Sequence, residues 1–249
     1  MNGKQFCLKR SDHNMRSVYF TRAIPKTNFE ISEKDDLHHL KNVIRVKESD
    51  EVLILSGNSE KLIFEVSEIG KKIIGLSFKR SEMVERQHRL SILLGCPKKE
   101  YFEECLRSCI PLNIETLYSF RSEYSQYFVE KLKERDLKII KNSFQQSNNP
   151  HSFNYVPLNS LDEFDHSDFQ HRFLSSVEPS TTKSSGFSTS EKVLVVVGPE
   201  GGLSQKEQDY FLGKDYLPLH LPCSILKTTL ALPTLVGNMF GALNLDAPN

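Results

Sequence analysis

Gly198-Pro199-Glu200-Gly201-Gly202 ends the apolar run "KVLVVV" and is followed at once by a polar, helix-like segment. Glycines in three of these positions admit positive φ and let main-chain N–H and C=O groups approach a ligand with no Cβ in the way. The turn can therefore recognise a ligand through its backbone. It does not match the familiar phosphate cradles, because no Lys followed by Ser or Thr closes it and the G-x-G-x-x-G spacing is missing. Glu200 also puts a negative charge where a phosphate needs the opposite. What remains is a neutral or cationic ligand held by backbone hydrogen bonds, or a turn with a purely structural role, and spacing alone leaves both open. Ser204 and Glu207 form an S-x-x-E box, which predicts a helix starting after Ser204 and ending at Gly213.

The second stretch able to build a site is "YLPLHLPCSILKTTLALPTLVGNMFGALN". It reads as a strand over 216–221, a turn through Pro222-Cys223-Ser224, and a C-terminal helix with Ser224 as N-cap. Gly237 and Gly241 let another backbone pack closely, in the core or across a dimer contact, and Pro233 predicts a kink or the end of a first helical segment. Nothing supports hydrolysis, since there is no G-x-S-x-G elbow and Ser204 serves as a cap. Five cysteines, Cys7, Cys96, Cys105, Cys109 and Cys223, are an odd number without C-x-x-C spacing, so neither a disulfide framework nor a metal is expected. Cys105 and Cys109 share a helix face and read as buried thiols.

The elements that must position these residues fall into two parts. Residues 51–80 read strand, turn, strand, turn, strand, with Leu62, Phe64 and Val66 alternating against their neighbours, then Ile74, Leu76 and Phe78. This is a small β-meander or barrel. Before it, "SEKDDLHHLKNVIRVK" predicts a helix capped by Ser32, with Leu37, Leu40 and Val43/Ile44 on one face and His38, Lys41 and Arg45 on another. From Leu90 onward, strands at "LSILLG", "IETLYSF", "HRFLSSV" and "KVLVVVG" alternate with helical stretches. Those stretches are "YFEECLRSCI", 125–147 with a break near Asp136, and "SLDEF" with a Ser160–Glu163 capping box. The pattern implies a parallel sheet covered by helices on both faces. "EPSTTKSSGFSTSE" reads as a mobile surface loop.

At 249 residues the chain suffices for one large domain or two smaller ones. Its 32 basic and 32 acidic residues cancel, so any RNA site must be a local patch, the overall charge giving it no support. No stretch has the length of a membrane span and the N-terminus has no apolar signal-peptide core, which places the expected location in the cytoplasm.

Taken together, "VVVGPEGGLSQKE", "LHLPCSILKTTLA" and "HHLKNVIRVKESDEV" resemble the 16S ribosomal RNA uridine-N3 methyltransferase family of the SPOUT superfamily. The resemblance implies a PUA-like β-barrel RNA-binding domain over 1–84. It implies a methyltransferase domain over 85–249, with a trefoil-knotted parallel sheet, working as a homodimer with its active site near the subunit interface. It implies S-adenosylmethionine as methyl donor, held by Leu174, Ser175, Gly198, Pro199, Glu200, Gly201, Leu221, Ile225 and Leu226. Glu200 is tolerable beside a cationic sulfonium as it would not be beside a phosphate. Lys227 and Arg121 are candidates for charge stabilisation, and His38, Lys41 and Arg45 for ribosomal RNA contact; Lys227 reads equally as a helix-surface lysine.

The chain departs from the family pattern at several places. Pro222-Cys223-Ser224 stands for Gly-Pro-Arg, Thr229-Leu230 for Glu-Thr, Ser108 for Lys, and Pro111-Leu112-Asn113 for Glu-Leu-Gly. Tyr124 stands for Arg, and Gln145 and Asn149 for Glu and Arg. These losses of charge keep a second reading open, a catalytically inactive relative that binds RNA or serves as a scaffold.

Overall fold

The computed structural model describes residues 16–178 and 186–242. Cys7 and most of the segment 178–185 lie outside the described residues. The chain divides into two units, one of residues 1–84 with Phe144–Pro150, the other of Glu85–Ser143 with the residues from His151 onward.

The first unit carries a five-stranded sheet in the order β1-β3-β4-β5-β2, formed by β1 (Ser17–Tyr19), β2 (Phe29–Ile31), β3 (Glu51–Leu55), β4 (Glu60–Ile69) and β5 (Ile74–Met83). The last three are the meander that alternation predicts. β1 and β2, of three residues each, occupy the two edges and are too short to show a period. Val18, Ile54, Phe64 and Ile74 fill the core beneath this sheet.

The segment before β3 departs from an ordinary helix. α1 (Lys34–His38) begins after Glu33 rather than Ser32, with no side-chain cap. It continues as a π-helix over His39–Ile44, whose wider turns re-phase the residues that 3.6-residue spacing would align. Val43 is consequently 61% exposed, while Leu40 is buried. Arg45 closes the segment in the left-handed conformation, φ 60°, and the Val46 N–H bonds the Leu40 carbonyl at 3.0 Å.

The second unit is built on a six-stranded, all-parallel sheet in the order β11-β9-β10-β6-β7-β8. Its strands are β6 (Arg89–Gly95), β7 (Thr116–Phe120), β8 (Asn154–Leu158), β9 (His171–Ser176), β10 (Lys192–Val197) and β11 (Leu217–His220). Alternation along β10 feeds two cores. Val193, Val195 and Val197 join α2 (Lys99–Cys109) and α5 (Thr228–Ala242) on one face, and Leu194 and Val196 join Phe211 of α4 (Gln205–Leu212) on the other. Helices thus cover both faces.

Several boundaries differ from the sequence reading for physical reasons. α3 spans Glu134–Ser147 only. Asp136 marks its start, because the carboxylate accepts from the Lys133 N–H at 2.8 Å, as a third-position acid does for the residue before a helix. Residues before it stay irregular, with Val129 buried and Tyr127, Phe128 and Leu132 packed against the α2/α5 core. "SLDEF" is a turn, in which Ser160 Oγ accepts from Asp162 N at 3.2 Å instead of reaching Glu163. β8 was hidden by Pro157, which an edge strand tolerates. α5 starts at Thr228, so Ser224 is no cap, and it runs through Pro233 without ending. Phe187, within the Ser-rich segment, is 2% exposed and joins the α2/α5 core.

Candidate functional site

The glycine turn lies where β10 delivers it, beyond the carboxyl end of a central strand of the parallel sheet, the edge at which such sheets bind ligands. Close packing explains its composition. A Cβ on Gly198 would meet the main-chain carbon of Gly202 at 3.0 Å, and Gly202 itself has φ +75°. A Cβ on Gly201 would meet the Cβ of Tyr124 at 3.0 Å. From the neighbouring strand, Gly95 lets Pro199 settle onto the end of β6, where a Cβ would meet Pro199 Cδ at 2.7 Å. The turn is therefore compact because its own backbone folds back on itself, and only Gly202 needs a positive φ.

Four side chains fix the turn and its flanks in place. Thr228 Oγ1, at the start of α5, donates to the Gly198 carbonyl at 3.1 Å. Glu200 Oε1 accepts from the Lys98 N–H at 3.1 Å, at the amino end of α2, a favourable place for a carboxylate. Ser204 caps α4 in the predicted box with Glu207. The same Glu207 carboxylate also accepts from Ser122 Oγ at 3.0 Å and Glu123 N at 2.9 Å, so it clamps the segment after β7 beside the turn. Sequence reasoning saw Glu207 only as a cap; its second pair of partners is 84–85 residues away and leaves no local signal.

Above the turn is a cavity of about 400 Å³, a size typical of small-molecule sites. Eight of the nine residues proposed from sequence for donor contact line it: Ser175, Gly198, Pro199, Glu200, Gly201, Leu221, Ile225 and Leu226. Leu174 does not; it is 2% exposed and packs in the α4-side core. The lining also includes Val197, Leu219, Ala231 and Leu235 as apolar walls, and Ser176, Gln208, His220 and Thr228 as polar ones. Gln208 escaped the sequence reading because it lies just past the glycine-turn motif, and His220, although inside "LHLPCSILKTTLA", because nothing local marks its side chain as facing a cavity.

The charged candidates are placed differently. Lys227 is exposed and directly precedes α5, where its carbonyl accepts from Leu230 and Ala231 N–H at 2.8 Å. Arg121, also exposed, lies 5.5 Å over the Phe128 ring. Neither lines the cavity, though each adjoins residues of the turn's framework. In the first unit His38 and Arg45 are exposed, whereas the Lys41 ammonium donates to the Gly70 and Lys71 carbonyls. Burial pushes the thiols of Cys96 up to about 11 and Cys105 up to about 12, and raises that of Cys109, so all three are protonated packing groups at neutral pH. Among the described residues, no helix is long and apolar enough to cross a membrane.

Residues 84–239 match the RNA methyltransferase domain family, and residues 31–78 match the RNA methyltransferase PUA domain family. The chain belongs to the RNA methyltransferase family. It is similar to the ribosomal RNA small subunit methyltransferase E of Bacillus subtilis, 26% identical over 79% of this chain and 84% of the relative. It is likewise similar to the ribosomal RNA small subunit methyltransferase E 2 of Borreliella burgdorferi, 24% identical over 78% and 84%. Its fold is that of the ribosomal RNA small subunit methyltransferase E of Neisseria gonorrhoeae, whose crystal structure is bound to S-adenosyl methionine. That match has a TM-score of 0.79 at 16% identity and covers 91% of this chain and 97% of that one. The parallel sheet with helices on both faces and the N-terminal PUA-like unit thus agree with the expected fold class.

Proposed function

We propose that this RNA methyltransferase uses S-adenosylmethionine to methylate small-subunit ribosomal RNA, at N3 of a uridine. The observation that carries the reading is the cavity over Gly198–Gly202, at the carboxyl edge of the sheet in a unit that matches the family. The residues present fit the donor. Adenine asks for apolar walls and backbone partners, which Leu219, Leu221, Leu226 and the glycine turn offer. The sulfonium asks for an environment without fixed positive charge, and among the described residues that line the cavity there is no Lys or Arg. Glu200, Gly198, Pro199, Gly201, Ser175 and Ile225 complete the donor site, with Leu174 supporting it from beneath.

S-adenosylmethionine supplies, when bound, a methyl group on a positively charged sulfur. The chain's own residues must hold the RNA base in line with that methyl, let the N3 proton leave, and stabilise the negative charge that develops on the base. Lys227 and Arg121 are the cations we assign to the last task. The backbone of the glycine turn, tied down by Thr228 and Glu200, supplies rigidity without side-chain entropy. The PUA-like unit, proposed as residues 1–84 ahead of a methyltransferase domain of 85–249, brings His38, Lys41 and Arg45 to the ribosomal RNA. Support for a homodimer comes from α5. Among the described residues nothing stands within 4 Å of a Cβ on Gly237 or Gly241, and Leu230 on the same helix and Ile225 ahead of it are 57% and 84% exposed. We further assign the chain a trefoil knot and action in the cytoplasm.

The test is calorimetric titration with S-adenosylmethionine, followed by transfer of a labelled methyl group to small-subunit ribosomal RNA and mapping of the modified nucleotide. Binding near one site per chain and a single 3-methyluridine are expected. A folded protein that binds no donor would refute the reading and favour an RNA-binding scaffold.

A further inference from the structure

We propose that His220 is a specificity residue of the donor site, hydrogen-bonding through Nδ1 to the adenosine half of the methyl donor. This rests on the donor reading above. His220 lines the cavity, yet its Nδ1 is buried and has no hydrogen-bond partner among the described residues. A buried polar atom left unpaired is costly, and native proteins seldom keep one without a use. Neighbouring polar groups are already committed. Thr228 Oγ1 donates to Gly198 O, Gln208 Nε2 donates to Leu203 O at 3.0 Å, and Ser176 Oγ pairs with the Glu178 backbone.

Strand geometry gives the cavity two unlike walls. Leu219 belongs to the core shared with α5, so its neighbour His220 faces the α4 side, beside its register partner Ser176. One wall is therefore apolar, with Leu219, Ala231 and Leu235, and the other offers imidazole. A planar, uncharged group with a polar edge suits such a slot. The amino-acid end of the donor, carrying a carboxylate and an ammonium, does not. That selects the adenosine half, whose amine and ribose hydroxyls can donate to an unprotonated Nδ1.

The experiment compares wild type with H220N, H220Q and H220L in calorimetric titrations with S-adenosylmethionine and with 5′-methylthioadenosine, which keeps the adenosine and lacks the amino acid. Asn places an amide near the Nδ1 position and Gln one near Nε2. H220N is expected to stay within about threefold of wild type, and H220Q and H220L to bind both ligands about tenfold more weakly, the scale of one hydrogen bond. Ligand-free H220L is expected to melt higher than wild type, because the orphaned nitrogen is gone; a residue with only a packing role would lower both stability and affinity. Wild-type affinity in H220L would overturn the proposal, as would a loss confined to S-adenosylmethionine, which would move the contact to the amino-acid end. Wild type that binds neither ligand would instead overturn the donor reading itself, and this proposal with it.

Discussion

The glycine turn separates what glycine does for space from what it does for conformation. At Gly198 the obstacle to a Cβ is backbone, at 3.0 Å, and backbone cannot step aside as a side chain does. Gly198→Ala is therefore expected to open the turn and weaken S-adenosylmethionine binding by tenfold or more, while the first unit's melting transition stays in place; calorimetry of both checks this. Gly202→Ala meets open space but needs φ +75°, so its cost is strain of about 1 kcal/mol with a smaller effect on binding. A different residue, His88, adds a pH-dependent contribution of its own. Burial lowers His88 to about 4, helped by the Arg86 charge, so the folded state favours neutral imidazole. The unfolded chain takes up a proton near pH 6.5 and the folded one does not. The His88 contribution to stability is then full above pH 6.5 and is lost as pH drops towards 4, by up to about 3 kcal/mol. Urea denaturation at pH 7.5 and 4.5 is expected to show a smaller difference in His88→Gln than in wild type. The motif glycines were readable in sequence because a turn's composition is local. The imidazoles of His88 and His220 were not, since their burial is set by Phe240 in one case and by strand register in the other.

Elements were legible where their signal is carried within a few residues. α4 appears with the predicted cap and end, because Ser204, Glu207 and Gly213 specify both ends locally. α3 was overextended because residues 125–133 have helical propensity, but their apolar side chains are drawn into the core beside α2. Glu207 joins these two levels, since one carboxylate caps α4 and holds the start of the segment after β7. Glu207→Ala removes acceptors from Ser122 Oγ and from the N–H groups of Glu123 and Ser204, and Glu207→Gln keeps only part of that set. The Ala variant is expected to cost about 2–3 kcal/mol. Hydrogen exchange is expected to rise over residues 121–133 as well as in the first turn of α4, the Gln variant lying between. Faster exchange in α4 alone would mean that the carboxylate acts only as a cap.

At the scale of the whole chain, membership of a unit is the property least visible in sequence. "FQQSNNP" begins inside α3 and no local signal sets its first residues apart from the rest of that helix, yet Phe144–Pro150 belongs with residues 1–84. The reason is contact at a distance. Phe144 is 1% exposed and stacks on Tyr19 with ring centroids 4.1 Å apart and an interplanar angle of 4°. Ser17 Oγ donates to the Gln145 carbonyl at 2.6 Å, and Ser59 N–H to the Pro150 carbonyl at 2.8 Å. The first unit's packing therefore includes a segment that comes after β6, α2 and β7 of the second in the chain. Two consequences can be measured. Phe144→Ala removes a buried aromatic side chain and is expected to cost about 3–5 kcal/mol. In scanning calorimetry that loss should fall on the transition of the first unit and leave S-adenosylmethionine affinity within about twofold of wild type. A fragment of residues 1–84 lacks the Phe144 ring that stacks on Tyr19 and the Gln145 and Pro150 carbonyls that accept from Ser17 and Ser59, and is expected to melt well below the same unit in the full chain. Equal melting of fragment and full chain would show that Phe144–Pro150 adds nothing to the first unit's stability, and that the sheet with its Val18, Phe64 and Ile74 core suffices alone.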